Sequence, residues 1–570
     1  MQVMARRGPD ASGIAVYGTH GLGHRRLKII DLSEQARQPL LDPELGLSIV
    51  YNGAIYNYKE LRHELQQKGY RFFSTGDTEV ILKAYHAWGA EVVERLNGMF
   101  AFCIVERDSG RVFLARDRLG IKPLYYTGSS RSLRFASSLP ALLRGGVEDL
   151  AIDPVALHHY LTFHSVVPAP HTLIRGVRKL PPATTLTIEA DGRQTMHGYW
   201  DVSYGTSDEE RRLSFEDWQE RVLEVLRRSV KRRLNADVPV GVLLSGGLDS
   251  SLVVGLLAEA GHRHIETFSI GFESVGDERG DEFMYSDIIA KHFETKHHKL
   301  FVDSSQALPS LLDCINAMSE PMVSHDNIGF FLLSKEVSQH VKVVQSGQGA
   351  DEIFAGYHWY PPMLESTDAV NDYARLFFDR TQREMAEVLE PDWLSEDYSR
   401  DFVARHLSRP GAETPIDRVL RLDTTVMLVD DPVKRVDNMT MAWGLEARVP
   451  FLDHEVVELA ARVPAQYKIP NEGKYVLKEA ARRVIPSEVI DRPKGYFPVP
   501  ALKYLRGEHL ELVREALTSS KARTRGLLRQ DYVQQLLANP EAHITPLRGS
   551  KLWQLAVLEL WFQANLPAEV

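Results

Sequence analysis

Apolar and polar residues alternate along this chain in two different rhythms. From Ile14 to about Ile188, short apolar segments are broken by turn residues: LSIVYNGAIYN, then MFAFCIVERDSGRVFLARD, then SLRFASS and TLTIEADG. Runs of this length, punctuated by Asn, Asp, Ser and Gly, predict strands joined as hairpins. Between them, YKELRHELQQKG and DTEVILKAYHAWG carry apolar residues at helical spacing, so the first domain is predicted to be α+β, helices against antiparallel sheet. The stretch TSDEERRLSFED, residues 206–217, is charged and aperiodic, as a connection between domains would be. It separates a first domain, 1–205, from a second, 218–570.

Beyond the connection, VPVGVLL is a continuous apolar run, followed by a glycine loop, the helical LDSSLVVGLLAEAG, then ETFSIGF and DEFMYSDIIAKHF. Strand alternating with helix predicts a parallel, doubly wound sheet. A further strand, VKVVQSG, runs into QGADEIFAGY, and the last third reads as mostly helical.

At about 100 to 200 residues per domain, 570 residues allow two to four domains. The balance of 67 Lys+Arg against 77 Asp+Glu gives a net charge of -10, and no long basic block occurs. The electrostatic footprint of a nucleic-acid binder is therefore missing, and a small-molecule partner is expected. Two cysteines, Cys103 and Cys314, exclude a disulfide framework and offer no zinc-ligand spacing, which suits a reducing cytoplasm. MQVMARRGPD lacks an apolar signal core, and no stretch approaches the roughly 20 apolar residues of a membrane span. The pair His297 and His298 reads as structural, since no acid or Cys accompanies it at ligand spacing.

The candidate chemistry begins at SGGLDS, residues 245–250, where the first strand of the second domain runs directly into a helix. Gly246 and Gly247 allow a sharp turn and close approach of backbone N–H groups to a ligand. The helix N-terminus adds about half a positive charge, so a phosphate is favoured there. Ser245 and Ser250 can donate hydroxyl bonds to a phosphate chain, and Asp249 can hold Mg²⁺. A capped strand-to-helix turn would explain a lone SGG equally well. Two features speak for a site: SGQGADE, residues 346–352, repeats the design with a second acid, Asp351, and both loops would leave a parallel sheet at its carboxyl edge. The pattern GxxxxGK[ST] is absent.

These residues resemble the class B, glutamine-hydrolysing asparagine synthetases. Hallmarks of that family occur as SGGLDS, SGQGADE, KRVDNMTMAWGLEARVPFLD and KLWQLAVLELW in the second domain, and as RRGPDASG, GHRRLKIIDL, NGAIYN, GDTEV and RDRLGIKPLYY in the first. The resemblance implies an N-terminal nucleophile (Ntn) glutaminase domain feeding ammonia to an ATP-pyrophosphatase domain, where a carboxylate is adenylated and then amidated. It implies ATP and Mg²⁺ as cofactors, with Leu243 and Ile270 flanking adenine, Ser346 and Gly347 touching the nucleotide through main chain, and Asp249 and Asp351 ligating Mg²⁺. Of two lysines in GKYVLKEAARRV, Lys474 and Lys478, four apart on one predicted helix face, the family's position is Lys474, the cation expected to stabilise charge on the acyl-adenylate. In the first domain it implies Arg26 on the glutamine carboxylate, Asp77 on its amino group, and Asn52 with the Gly53 N–H as oxyanion hole. On sequence alone Asn52-Gly53 reads equally as a hairpin turn.

Three departures carry expectations. Where asparagine synthetases have Glu in the second loop this chain has Gln348, and the stretches VVPAP, ERGDEFMYSD, SEPMVSHD, VVQSGQGADEIFAGYHWYP and RPKGYFPVP resemble the N-acetylglutaminylglutamine amidotransferases within the family. An acetylated dipeptide is thus the expected acceptor, with Ser324, His325, Asp326, Gln348, Tyr357, His358 and Trp359 as candidates for its pocket. Aspartate is the rival acceptor, and a non-catalytic nucleotide- or glutamine-binding protein the rival class. The family's NGEIYN has Ala54 in place of Glu. The family's nucleophile is an N-terminal Cys whose α-amine serves as base; here the sequence opens Met1-Gln2, so the expectation is a glutaminase half that is inactive as written and a synthetase using free ammonia. A homodimer is compatible with the resemblance, and the sequence leaves assembly open.

Overall fold

The computed structural model describes residues 1–129, 132–272, 283–302, 304–394, 396–492 and 505–567, without the side chains of 304–307. ERGDEFMYSD and RPKGYFPVP therefore fall partly outside the described residues, at 278–282 and 493–500. The first half builds β1 (Ala11–Tyr17), β2 (His20–Arg26), β3 (Leu40–Asp42), β4 (Leu47–Ile55), β5 (Gly98–Glu106), β6 (Val112–Arg116), β7 (Tyr125–Ser129), β8 (Ser132–Ala136), β9 (Arg178–Lys179), β10 (Thr184–Ile188) and β11 (Gln194–Gly198). A six-stranded antiparallel sheet runs in the order β11-β10-β6-β5-β4-β3, beside the pair β1-β2 and the three-stranded β8-β7-β9.

Strand β5 shows why MFAFCIV is apolar throughout. Successive side chains point to opposite faces: Phe100, Phe102 and Ile104 join Leu61, Leu65 and Val80 under the helices Tyr58–Gln67 and Asp77–Trp88. Ala101, Cys103 and Val105 face the other way, against Leu180 and against Leu22 and Tyr126 of the neighbouring sheets. A strand covered on both faces loses the polar alternation of an exposed one.

The connection ends earlier than its sequence suggests. Residues 215–217 are the first turn of the helix Phe215–Arg232, with Ser214 and Asp217 bonding each other's backbone N–H in a capping box. Trp218, Val222, Leu226 and Val230, four apart, form its buried stripe. The second sheet then follows, with β12 (Val240–Leu243), β13 (Glu266–Phe272), β14 (Lys296–Val302), β15 (Val343–Gln345) and β16 (Glu446–Arg448) in the order β14-β13-β12-β15-β16. All four pairings are parallel. KLWQLAVLELW forms the helix Lys551–Asn565, buried on nearly every face. No helix among the described residues is long and apolar enough to cross a membrane.

Buried charges lock the halves together. Asp437, on the helix Lys434–Met441, accepts from Arg7 Nη2 at 2.9 Å and Lys122 Nζ at 3.2 Å. Burial would raise its pKa, but these two cations hold it below the ordinary carboxylate value. Lys179 reaches Glu320 at 2.9 Å and Asp430 at 2.7 Å across the same seam. Removing one partner of such a cluster leaves a buried charge uncompensated, so Asp437→Asn is expected to cost about 3–5 kcal/mol, read as a lower urea midpoint; an unchanged midpoint would mean that apolar packing alone holds the seam.

Candidate active site

Strands β12 and β15 are parallel neighbours, so the loops that follow them, SGGLDS and SGQGADE, leave the sheet side by side at its carboxyl edge. They touch: a Cβ added to Gly347 would stand 2.7 Å from the Ser250 backbone N and 3.0 Å from the Asp249 Cβ. Gly246 turns the first loop at φ +75°, and a Cβ there would strike the Ser286 N at 2.6 Å. Gly247 caps the helix Leu248–Glu259, whose first-turn acid is Asp249. Within the loop the Ser245 and Ser250 hydroxyls lie 3.0 Å apart. The second loop is anchored from behind, Ser346 N–H donating to the Arg448 carbonyl at 2.9 Å.

A cavity of about 300 Å³ opens over both loops. Leu243, Ser245, Gly247, Asp249, Ser250, Ile270, Ser346, Gly347, Gln348, Asp351 and Lys474 all line it; Gly246, of the residues expected around ATP, sits behind the wall. At its centre the Lys474 Nζ lies 2.9 Å from Asp249 Oδ2 and 3.1 Å from Asp351 Oδ1. Burial would lower the Lys474 pKa, but the two carboxylates outweigh it and raise it, so the ammonium is permanently charged.

Lys474 and Lys478 both line this cavity, although only Lys478 lies within a helix. Lys474 is the cap residue before the helix Tyr475–Ala481, in left-handed conformation at φ +55°. It ends a run of positive φ through Asn471, Glu472 and Gly473. That loop is pressed against the second one: Lys474 N–H donates to the Phe354 carbonyl at 3.0 Å, and a Cβ on Gly473 would sit 2.0 Å from the Ala355 O. Gly356 is equally confined, since its Cβ would meet Asp351 Oδ1 at 2.2 Å and Lys474 Cε at 3.0 Å. A lysine in a sparsely populated backbone region, held by its surroundings, marks a place where position matters.

Of the acceptor candidates, Asp326, Gln348 and Tyr357 reach the cavity, whereas Ser324, His325, His358 and Trp359 do not line it. Trp359 is a packing residue, its indole N–H on Asp423 at 2.9 Å and its ring stacked on Tyr357 at 4.2 Å. Sequence reasoning passed over Arg435, Glu352 and Phe330, which do line it. Arg435 stands 3.5 Å from Asp326 and 3.8 Å from Asp431. Burial pushes the Asp326 pKa up to about 6 despite Arg435. The sequence signal of Arg435 is its place within the KRVDN motif.

A second cavity of about 150 Å³ gathers Arg26, Asn52, Gly53 and Asp77. Asn52 and Gly53 lie inside strand β4, opposite Ala101 and Phe100, so the hairpin-turn reading does not hold. The Asn52 Nδ2 is buried with no hydrogen-bond partner among the described residues. Arg26 donates to the carbonyls of Ser33 and Asp31. Cys103 belongs to the wall, but its side chain is fully buried and burial raises its thiol pKa, so it offers no thiolate. Cys314 is buried as well. Glu446 and Arg448 of β16 complete the wall from the other domain. Elsewhere, the view of His298 as lacking an acidic partner is corrected: its Nε2 lies 3.1 Å from Glu266 Oε2.

An asparagine synthase family model matches residues 221–563, and a glutamine amidotransferase domain model matches 1–200. The chain belongs to the asparagine synthetase family. Within that family it is 32% identical to a Bacillus subtilis glutamine-hydrolysing asparagine synthetase, over 99% of this chain and 93% of that one. It is 35% identical to a Mycobacterium bovis protein named a putative glutamine-hydrolysing asparagine synthetase, over 91% of this chain and 86% of that one. A solved Bacillus subtilis glutamine phosphoribosylpyrophosphate amidotransferase, complexed with ADP and GMP, aligns at 14% identity over 58% of this chain and 68% of that one, with a TM-score of 0.24, too distant to carry an argument. As a member of the family the chain is a ligase of the amidotransferase type, pairing a glutamine amidotransferase domain with an α/β synthetase domain.

Asp77 gives a pH test of the family's first cavity. Burial raises its pKa to about 6 from the ordinary 3.8, although the Ile55 N–H and the Tyr51 hydroxyl bind its carboxylate. The raised value means that the folded state holds the proton more tightly. Its stabilising contribution is complete below 3.8 and is lost as pH rises through about 6. Asp77→Asn is expected to remove this decline, measured as urea midpoints from pH 4 to 7 beside the unmodified chain; parallel curves would place the titration elsewhere.

Proposed function

We propose that this chain uses ATP to adenylate the C-terminal carboxylate of N-acetylglutaminylglutamine and converts it to the amide with glutamine-derived or free ammonia, releasing AMP and pyrophosphate. The observation that carries the reading is the Lys474 ammonium held between Asp249 and Asp351 where two glycine loops abut. Adenylation forms a bond from a carboxylate oxygen to the α-phosphorus and breaks the bond to pyrophosphate. Ammonia then adds to the acyl carbon, AMP leaves with the electrons of the C–O bond, and the nitrogen gives up one proton to water to leave the neutral amide.

Each step builds negative charge on phosphate oxygens, and the residues present answer that need. Backbone N–H groups at Gly247 and the start of the helix Leu248–Glu259, with the Ser245 and Ser250 hydroxyls, grip the phosphate chain. Leu243 and Ile270 bracket the adenine, and Ser346 and Gly347 meet the nucleotide through main chain. The converging Asp249 and Asp351 carboxylates suit a hard divalent cation, and Mg²⁺ bound there supplies charge neutralisation to the phosphates. Lys474 acts as the fixed cation on the leaving group.

Gln348 supports the choice of acceptor. Aspartate presents a free α-ammonium, which favours a carboxylate partner, and the family's asparagine synthetases carry Glu at this position. An acetylated dipeptide has no such ammonium but has amides, which a neutral glutamine side chain can pair as donor and acceptor. Arg26, Asp77, Asn52 and Gly53 bind glutamine in the other cavity. The second reading, aspartate as acceptor, is favoured by the names of the relatives.

Pyrophosphate release with ATP, Mg²⁺ and ammonia distinguishes the acceptors: the acetylated dipeptide is expected to drive it and aspartate not, and the reverse would establish the second reading. Lys474→Ala is expected to lower amide formation by about 10²–10³ while ATP still binds; near-normal turnover would remove Lys474 from the mechanism.

A further inference from the structure

The opposite rim of the parallel sheet, where the strands begin, carries a group of ligating side chains that the amidation chemistry does not use. Glu266 opens β13, His298 is the third residue of the neighbouring β14, and His340 precedes β15 on the turn that leaves the helix Asp326–Val337. Their ligand atoms all lie within 4.8 Å of one another. The two imidazole centroids are 4.4 Å apart, and His298 is stacked flat on Phe268 at 4.8 Å, which fixes its ring. Parallel register sets Phe268 beside His298 and Glu266 beside Lys296, so the acid reaches the histidine from two residues back on the adjacent strand.

From this juxtaposition we propose a divalent transition-metal site, taking Zn²⁺, formed by Glu266, His298 and His340. Two imidazoles and a carboxylate are a ligand set for zinc and exclude Mg²⁺ and Ca²⁺, which require oxygen. Around a tetrahedral zinc, with bonds of about 2.0–2.2 Å, donor atoms stand roughly 3.3 Å apart. His298 Nε2 and Glu266 Oε2 already meet this, at 3.1 Å. His340, the exposed member, has to bring its ring closer by up to about 1.5 Å to complete the triad, within reach of a χ rotation on a surface turn. Charge permits it. Lys296 holds the other oxygen of Glu266 at 3.1 Å, while Glu336, 3.6 Å from His340, restores the local negative balance. Three protein ligands leave the fourth position to water. The metal would tie β13, β14 and the entry to β15 together at the end of the sheet remote from the two loops.

The test uses the full-length chain, freed of metal with chelator and kept in excess Mg²⁺ so that Asp249 and Asp351 are occupied. Equilibrium dialysis is expected to find one tightly bound Zn²⁺, and Co²⁺ substitution to give the intense visible absorption of a four-coordinate site. His340→Ala, at an exposed position that leaves the fold intact, and His298→Ala and Glu266→Gln are each expected to lower the affinity by at least about 10- to 100-fold, the loss that outer-sphere partners alone produce. His297→Ala is the control, since that imidazole turns away to bond Thr267 at 2.9 Å, and should bind as the unmodified chain does. Absence of a tight equivalent, equal binding by all variants, or equal loss in His297→Ala would each overturn the assignment.

Discussion

Two aspartates on neighbouring loops would repel each other, and what reconciles them is one ammonium placed between them. Lys474 meets Asp249 at 2.9 Å and Asp351 at 3.1 Å in a buried setting. The two carboxylates outweigh the burial of the lysine and raise its pKa, so the ammonium stays charged between them. Much of the surrounding backbone exists to hold this arrangement: the left-handed turn ending at Lys474, the contact of Gly473 with the Ala355 carbonyl, and Gly356, whose missing Cβ leaves room for Asp351 and Lys474 together.

The parallel sheet and its two loops were legible in the sequence because both signals are local. A continuous apolar run followed by adjacent glycines and a helix specifies strand, turn and helix without reference to anything distant. The antiparallel domain was legible for the same reason, MFAFCIV and RVFLAR pairing as β5 and β6 across a short turn. What the sequence hid was tertiary. Lys474 looked like a residue on a helix face, and only its docking on Phe354 and Ala355 puts it at a strained cap. Asn52-Gly53 looked like a turn because its composition is that of one, yet pairing with β5 extends it. Arg435 and Asp326 are more than a hundred positions apart and meet only through the packing of two helices.

The helix that carries Arg435 also shows how chemistry and assembly share material. Pro415–Leu422 passes through two π-helical segments, Asp423–Met427 and Val429–Val433, before Lys434–Met441. Within one stretch, Asp423 anchors Trp359, Asp430 takes Lys179 of the first domain, Arg435 lines the cavity over the two loops, and Asp437 takes Arg7 and Lys122. Widened turns alter which side chains face a given direction, and such bulges occur often at functional sites.

Arg448 joins the two cavities most directly. Its guanidinium is fully buried, bonded to Glu446 and to the Arg233 and Asn235 carbonyls, and it lines the cavity of the first domain; its own carbonyl receives the Ser346 N–H of the second. One residue thus borders the first cavity with its side chain and anchors a loop of the second with its carbonyl. The strand β16 is better regarded as a common foundation than as property of the domain that encodes it.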